Sequence, residues 1–337
     1  MHADDVPAPV ALLRMMTGYW VSKALHVAAE LGVADLLRDG PRPADELASA
    51  CGAHPPALYR LLRALASVGV FTEGEGRRFA LTPLAELLRS DRPDSMRALA
   101  RMYGSEQYRA WDGLLDSIRT GTPAFDRAFG ASYFDYLARS PEAGAVFDQA
   151  MTGWTTQVAD AVVEAYDFPA SGTVVDVGGG RGLLLATILR ARPNLRGVLF
   201  DLPHVVVGAQ PLLAAAGVAD RCTVVGGDFF ASVPAGGAVY LLAQILHDWD
   251  DERCRVILAN CRGAMRPDGK LLVVEQVLPP GDEPALGKWL DLHMLVLLTG
   301  RERTEAEYRA LLGAAGFQLS QVMPTTSGAS IVEAVCA

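Results

Sequence analysis

The chain has 337 residues, half of them apolar, and a formal net charge of −9. That length suggests two domains with ample material for buried cores, and the acidic balance argues against nucleic acid or anionic membrane as the main partner. Five scattered cysteines (Cys51, Cys222, Cys254, Cys261, Cys336) lack C-x-x-C spacing, which points to reduced thiols in a cytoplasmic protein, not to a disulfide framework or a zinc site.

The opening Met1-His2-Ala3-Asp4-Asp5 is acidic, unlike a signal peptide. No apolar run approaches the roughly 20 residues that span a bilayer. Across residues 10 to 37, Leu12, Leu13, Met16, Trp20, Ala24, Val27 and Leu31 keep near-helical spacing. So much large apolar surface near a terminus predicts packing on its own domain or on a second subunit, and a dimer is the favoured reading. Residues 43–51 and 55–68 read as two short helices. Gly69-Val70-Phe71-Thr72 and Arg77-Arg78-Phe79-Ala80-Leu81 read as strands around the turn Glu73-Gly74-Glu75-Gly76. Helix, turn, helix and hairpin make a winged-helix pattern. A DNA-binding role needs a basic face, and the helix from Pro55 offers only Arg60 and Arg63, so that role is disfavoured.

Residues 95–168 read as all helix, broken around Gly121-Thr122-Pro123 and Ser140-Pro141. Aromatic and methionine side chains are dense there. Most belong to a core, while Met151 and Trp154 are candidates to line a pocket for a flat, apolar substrate. Beyond Thr173, strand patterns at 173–177, 197–201, 222–226, 238–242, 269–276 and 331–337 alternate with helices. This predicts an α/β fold, a parallel sheet with helices on both faces and a ligand beyond the C-terminal strand ends.

Val174-Val175-Asp176-Val177 runs into Gly178-Gly179-Gly180-Arg181-Gly182, and a helical pattern follows. A strand, a glycine turn and a helix start form a nucleotide-type site, with room for a ligand against backbone. Gly178, Gly180 and Gly182 are present, but Leu183 stands where a dinucleotide fingerprint has its last glycine, so a dehydrogenase is disfavoured. Asp201 suits a ribose diol, and Asp228 suits an adenine amino group with Phe229 against the ring. Two acids for an adenosine, without a pyrophosphate turn, fit S-adenosylmethionine (SAM). A turn or helix cap is the alternative for Asp228.

With Asp201-Leu202-Pro203, Gly227-Asp228-Phe229-Phe230, Leu246-His247-Asp248-Trp249 and Gly300-Arg301-Glu302-Arg303-Thr304 added, the chain resembles the SAM-dependent O-methyltransferases of the plant caffeate/flavonoid type and their bacterial secondary-metabolite relatives. The resemblance implies a homodimer, SAM as methyl donor with S-adenosylhomocysteine as product, and no metal. It implies a winged-helix-like dimerisation domain at residues 1–100 and a catalytic domain with a Rossmann-like class I methyltransferase sheet at 101–337. Within the latter, 101–168 would be a helical substrate-binding segment and 169–337 the core. The family's SAM contacts fall on Gly178, Asp201, Leu202, Asp228 and Phe229, to which the loop's Gly180 is added. Gln244 follows Ala243, where plant members carry a lysine near the sulfonium, and is taken as a further cofactor contact.

A phenol with pKa near 10 is mostly neutral at pH 7, so its methylation profits from a general base. His247, on a loop after an apolar strand, fits that task. The resemblance places its flanking glutamates at Glu275 and Glu302 and a substrate contact at Met294. Glu275 ends an apolar strand and is expected to pair with His247, with a cap as the alternative; a surface ion pair is the alternative for Glu302. Asp250 or Asp251 is expected to cap the next helix. A Mg²⁺ site formed by His247, Asp248, Asp250 and Asp251 is disfavoured, because adjacent residues rarely converge on one ion. The reading is methylation of an aromatic hydroxyl. The alternatives are methylation at nitrogen or carbon, or a SAM-binding relative with decarboxylase or hydroxylase activity.

Overall fold

The structure is a computed structural model and describes residues 6–337. The acidic opening segment, read above as no signal peptide, lies outside the described residues. The chain divides into two compact units, one comprising residues up to 109 with 142–153, the other 110–141 with 154–337.

The first unit is mostly helical. The apolar stretch expected as one helix from residue 10 is three, at Ala8–Met16, Gly18–Glu30 and Val33–Leu36. Thr17 leaves helical geometry and Gly32 is left-handed, so each break resets the direction of the next segment. Helices Ala44–Cys51 and Pro55–Ser67 follow. The wing holds strands β1 (Arg42–Pro43), β2 (Phe71–Gly74) and β3 (Arg78–Leu81), antiparallel in the order β1-β3-β2. Leu47, Leu58, Leu62, Leu65, Phe71 and Phe79 form its core. In contrast, helix Ala8–Met16 buries no residue, and Leu12, Leu13, Met15, Met16 and Trp20 stand exposed.

The second unit is built on a seven-stranded sheet. Its strands are β4 (Gly172–Val177), β5 (Leu195–Asp201), β6 (Cys222–Gly226), β7 (Val239–Ala243), β8 (Lys270–Glu275), β11 (Phe317–Pro324) and β12 (Ser330–Cys336). The order is β11-β12-β8-β7-β4-β5-β6. The five strands from β8 to β6 are parallel, as alternation predicts. The sheet is not wholly parallel, however: β12 runs antiparallel to β8 and β11 antiparallel to β12. A hairpin needs only a short connection where a parallel return needs a crossover, and only the turn from Pro324 to Ser330 separates β11 from β12. Apolar clusters cover both faces of the sheet. A short parallel pair, β9 (Val277–Leu278) with β10 (Arg303–Thr304), sets Arg303 opposite Val277, just beyond the end of β8.

Candidate functional site

The loop after β4 turns on two left-handed glycines, Gly178 (φ +74) and Gly180 (φ +59). A Cβ on Gly178 would collide with the Ile245 side chain, whereas one on Gly180 would meet nothing within 4 Å, so the loop is packed on one side and open on the other. The Gly180 amide donates to Asp201 Oδ2 at 2.8 Å and the Leu202 amide to Oδ1 at 2.6 Å. These bonds fix the Asp201 carboxylate at the C-terminal end of β5. Asp228 follows the neighbouring β6 and accepts from the Phe230 amide at 2.8 Å, so it caps a turn just past the strand end. Phe229 packs edge-on against Phe230, with centroids 4.9 Å apart. Gln244, at the end of β7, has φ +57, and its side-chain amide donates to Val274 O at 3.3 Å. Left-handed geometry at a non-glycine costs of order 1 kcal/mol and persists only where its surroundings impose it. Gly178, Gly180, Asp201, Leu202, Asp228, Phe229 and Gln244 therefore gather along one edge of four adjacent parallel strands.

Beneath the loop lies Asp176, 1% exposed. Neither of its oxygens reaches a hydrogen-bond partner, although the Leu185 amide faces it. Burial, then the charge of Asp201, raises its pKa to about 7. An open glycine cradle beside an amide-held carboxylate suits a nucleoside such as SAM.

His247 sits in a single 3₁₀ turn, Leu246–Asp248, after β7. The expected pairing of Glu275 with its imidazole is not what forms. Glu275, fully buried, instead accepts from the amides of Ile245 (3.0 Å), Leu246 (2.6 Å) and His247 (3.2 Å) on Oε1, and from the Tyr308 hydroxyl on Oε2. A turn this short leaves those amides without helical acceptors, and the carboxylate at the end of β8 is the acceptor within reach. Glu302 takes the ring: its Oε1 lies 2.6 Å from His247 Nδ1. At 2% exposure Glu302 is no surface ion pair. Its amide donates to Asp291 Oδ1 at 3.0 Å. On the other side, Asp248 Oδ1 lies 3.4 Å from His247 Nε2.

Burial alone would lower the imidazole pKa, but the charges of Glu302, Asp248 and Glu275 outweigh it and raise it to about 10. Burial raises the Glu302 carboxyl too, against the pull of His247. Both groups are thus shifted toward holding a proton. Burial lifts Asp248 to about 7, against the pull of His247.

The neighbouring acids serve other ends. Asp250 caps helix Asp251–Ala264 through the Arg253 amide, and Asp251 pairs with Arg303 and Arg301. Among the described residues no group of three His, Cys, Asp or Glu is arranged to hold a metal ion.

Met294 is buried on helix Leu286–Leu297, next to His293, whose ring stacks on Trp111 and accepts from Trp111 Nε1 at 2.8 Å. Trp154 packs against the apolar core beside β4, the ordinary role of a large aromatic on a helix. Met151 is half-buried in the first unit. Reading the sequence misses Tyr308 and Asp291. No local motif marks them; each is defined by the carboxylate or amide it meets from a distant segment.

The family model of an O-methyltransferase domain matches residues 111–318, and that of an O-methyltransferase dimerisation domain matches residues 13–91. The chain belongs to the SAM-dependent O-methyltransferases. It is 58% identical over 333 residues to phenazine O-methyltransferase PhzM of Lysobacter antibioticus, covering 99% of this chain and 98% of that protein. It is 34% identical over 323 residues to the phenazine-1-carboxylate N-methyltransferase of Pseudomonas aeruginosa, covering 96% of each. The crystal structure of LaPhzM superposes with a TM-score of 0.96 at 58% identity, covering 98% of this chain and all of that one. The methyltransferase NcsB1, solved with SAM and 2-hydroxy-5-methyl naphthoic acid, superposes at 0.80 with 37% identity, covering 94% of this chain and 96% of that one. SAM is the cofactor, the sheet is that of class I methyltransferases, and the N-terminal domain is a dimerisation domain. No helix among the described residues is long and apolar enough to cross a membrane.

Proposed function

We propose that this methyltransferase alkylates a hydroxyl of an aromatic natural product, with His247 as general base. The observation that carries the reading is the buried contact of 2.6 Å between His247 Nδ1 and Glu302. It holds the ring in one orientation; Nε2 of the neutral imidazole takes the hydroxyl proton, a form whose share grows with pH because the flanking carboxylates raise the pKa, and Asp248 is close enough to stabilise the imidazolium. Bound SAM supplies an electrophilic methyl on a sulfonium. Asp201 holds the ribose diol, Asp228 the adenine amino group with Phe229 against the ring, and Gly178, Gly180, Leu202 and Gln244 line the same edge. Glu275 serves the base through its backbone. Met151 and Met294 are the candidate acceptor contacts. Aromatic acceptors are supported by the relatives, which include phenazine and naphthoate methyltransferases.

We further propose a homodimer, supported by the dimerisation-domain match and by the uncovered apolar face of helix Ala8–Met16. Five unpaired cysteines support a reducing, cytoplasmic setting.

The N-methyltransferase relative favours a second reading, in which a nitrogen nucleophile reacts without a base. Labelled SAM with matched phenol and amine acceptors separates the two. Under the hydroxyl reading His247→Ala keeps SAM binding and loses about 10²- to 10⁴-fold in rate, with the loss shrinking at high pH where a phenol ionises unaided. Wild-type turnover by that variant near neutral pH refutes the base and points to nitrogen or to catalysis by alignment alone.

A further inference from the structure

Arg303 is the largest fully buried side chain among the described residues, and the proton transfer above gives it no part. Two of its hydrogen bonds go to the turn that carries His247, and Nη2 also lies 3.5 Å from Cys254 Sγ in the helix that follows. Nη1 donates to Leu246 O at 3.0 Å, and Nη2 donates to Trp249 O at 3.0 Å. The guanidinium is braced from behind by Asp251 Oδ1, at 2.8 Å from Nη2 and 3.2 Å from Nε, and by Arg301 O at 3.2 Å from Nη1. Leu246 and Trp249 bracket His247 and Asp248. The amides of the same turn are taken by Glu275. An anion on the N–H side and a cation on the carbonyl side therefore hold one 3₁₀ turn between them.

The neighbours of Arg303 act on the same histidine. Glu302, one residue earlier, holds the ring at Nδ1. Gly300 lies so close that a Cβ there would strike the backbone of His247, Asp248 and Trp249. Pairing of β10 with β9 anchors this segment beside the end of β8.

We propose that Arg303 is a positioning residue for methyl transfer: by holding the carbonyls of Leu246 and Trp249 it fixes where the His247 imidazole presents Nε2. The inference rests on the reading of His247 as general base. A planar guanidinium can bridge two carbonyls and a carboxylate at once, whereas a lysine ammonium is a compact charge on a flexible stem. Charge alone is therefore not enough.

A double-mutant cycle in the full-length enzyme tests this. Arg303→Lys lowers kcat by about 10- to 100-fold, the scale of a small misplacement of a catalytic group, while the dissociation constant of SAM stays within about twofold. In a His247→Ala background the same substitution costs less than about twofold, because a residue acting through the base has nothing left to act on. Equal losses in both backgrounds, or an unchanged kcat in Arg303→Lys, overturn the proposal. Where Arg303→Lys does not fold, as judged by its thermal melt, Asp251→Asn at a half-exposed position removes the brace, and the same non-additivity with His247→Ala is expected from a smaller loss. A His247→Ala enzyme with wild-type rate removes the base reading by itself, seen in that single variant before any cycle is closed; a loss in Arg303→Lys would then arise by another route and the proposal would fall with it.

Discussion

Replacing Glu302 by Gln keeps the shape of the side chain and an acceptor for His247 Nδ1–H but removes the charge. The contact is 2.6 Å long and the carboxylate is almost wholly out of solvent, so it acts on the imidazolium with little screening. A hydrogen bond to a charged group contributes about 1.5–3 kcal/mol and a neutral one about 0.5–1.5, so the imidazolium formed on proton transfer loses roughly 1–2 kcal/mol. That corresponds to about a 5- to 30-fold fall in the plateau of kcat.

The pH profile should move as well. Burial pulls the His247 pKa down, and Glu302 is the largest of the charges that carry it back up to about 10. Without that charge the imidazole gives up its proton at lower pH, so the acid limb of kcat/KM shifts downward while the plateau falls. For stability the sign runs the same way. A histidine whose folded pKa lies above the unfolded value near 6.5 stabilises the fold fully below that value and loses the contribution as pH rises through about 10. Glu302→Gln should therefore shift the melting temperature downward near pH 6 relative to its shift near pH 10. Initial rates with labelled SAM and thermal melts in the same buffers read both effects. An acid limb that stays where it is, with an unchanged plateau, would refute the assignment of this pair.

Asp201→Ala should weaken SAM binding by at least ~1.5 kcal/mol, the scale of a hydrogen bond to a charged group; unchanged affinity by calorimetry would reject Asp201 as the ribose ligand. Asp176→Asn should raise thermal stability at about pH 8 and leave it unchanged near pH 4. Burial lifts the native pKa of Asp176 from 3.8 to about 7, so the carboxylate destabilises the fold increasingly as pH rises through that window, by at most ~4 kcal/mol. Parallel melting curves for the two proteins across that range would contradict this. Trp20→Glu, placed on the exposed apolar face of the N-terminal helices, should convert a dimer to a monomer in light scattering; a dimer of unchanged mass would remove that face from the interface.

Most of the second unit's sheet is legible because each parallel strand is a short apolar run between glycines and polar turns. Val174-Val175-Asp176-Val177 between Gly172 and Gly178 is the clearest case. β11 escapes notice because its burial pattern is that of a half-exposed edge strand, with a register shift between Leu319 and Gln321 that interrupts the period-two signal. The N-terminal helices appear as one because Gly18 restarts a helix immediately after Thr17, so the apolar spacing barely changes phase.

At the site, residue types are more legible than partnerships. Asp201, Asp228 and His247 stand at strand ends, where topology alone converges them. Glu302 is identifiable only by its motif, since flanking arginines give it the look of a surface residue. The two glutamates near His247 divide the work, one on the ring and the other on the backbone. That division depends on where amides are left over by a three-residue turn. It also depends on where the short pairing of β9 with β10 delivers the 300–303 segment. Neither is encoded in the spacing of Glu275 and Glu302 along the chain. Both carboxylates are nonetheless bound to the same histidine, so substitutions at either one reach the chemistry through that residue and differ in route: loss of charge at Nδ1 for Glu302, loss of backbone direction for Glu275.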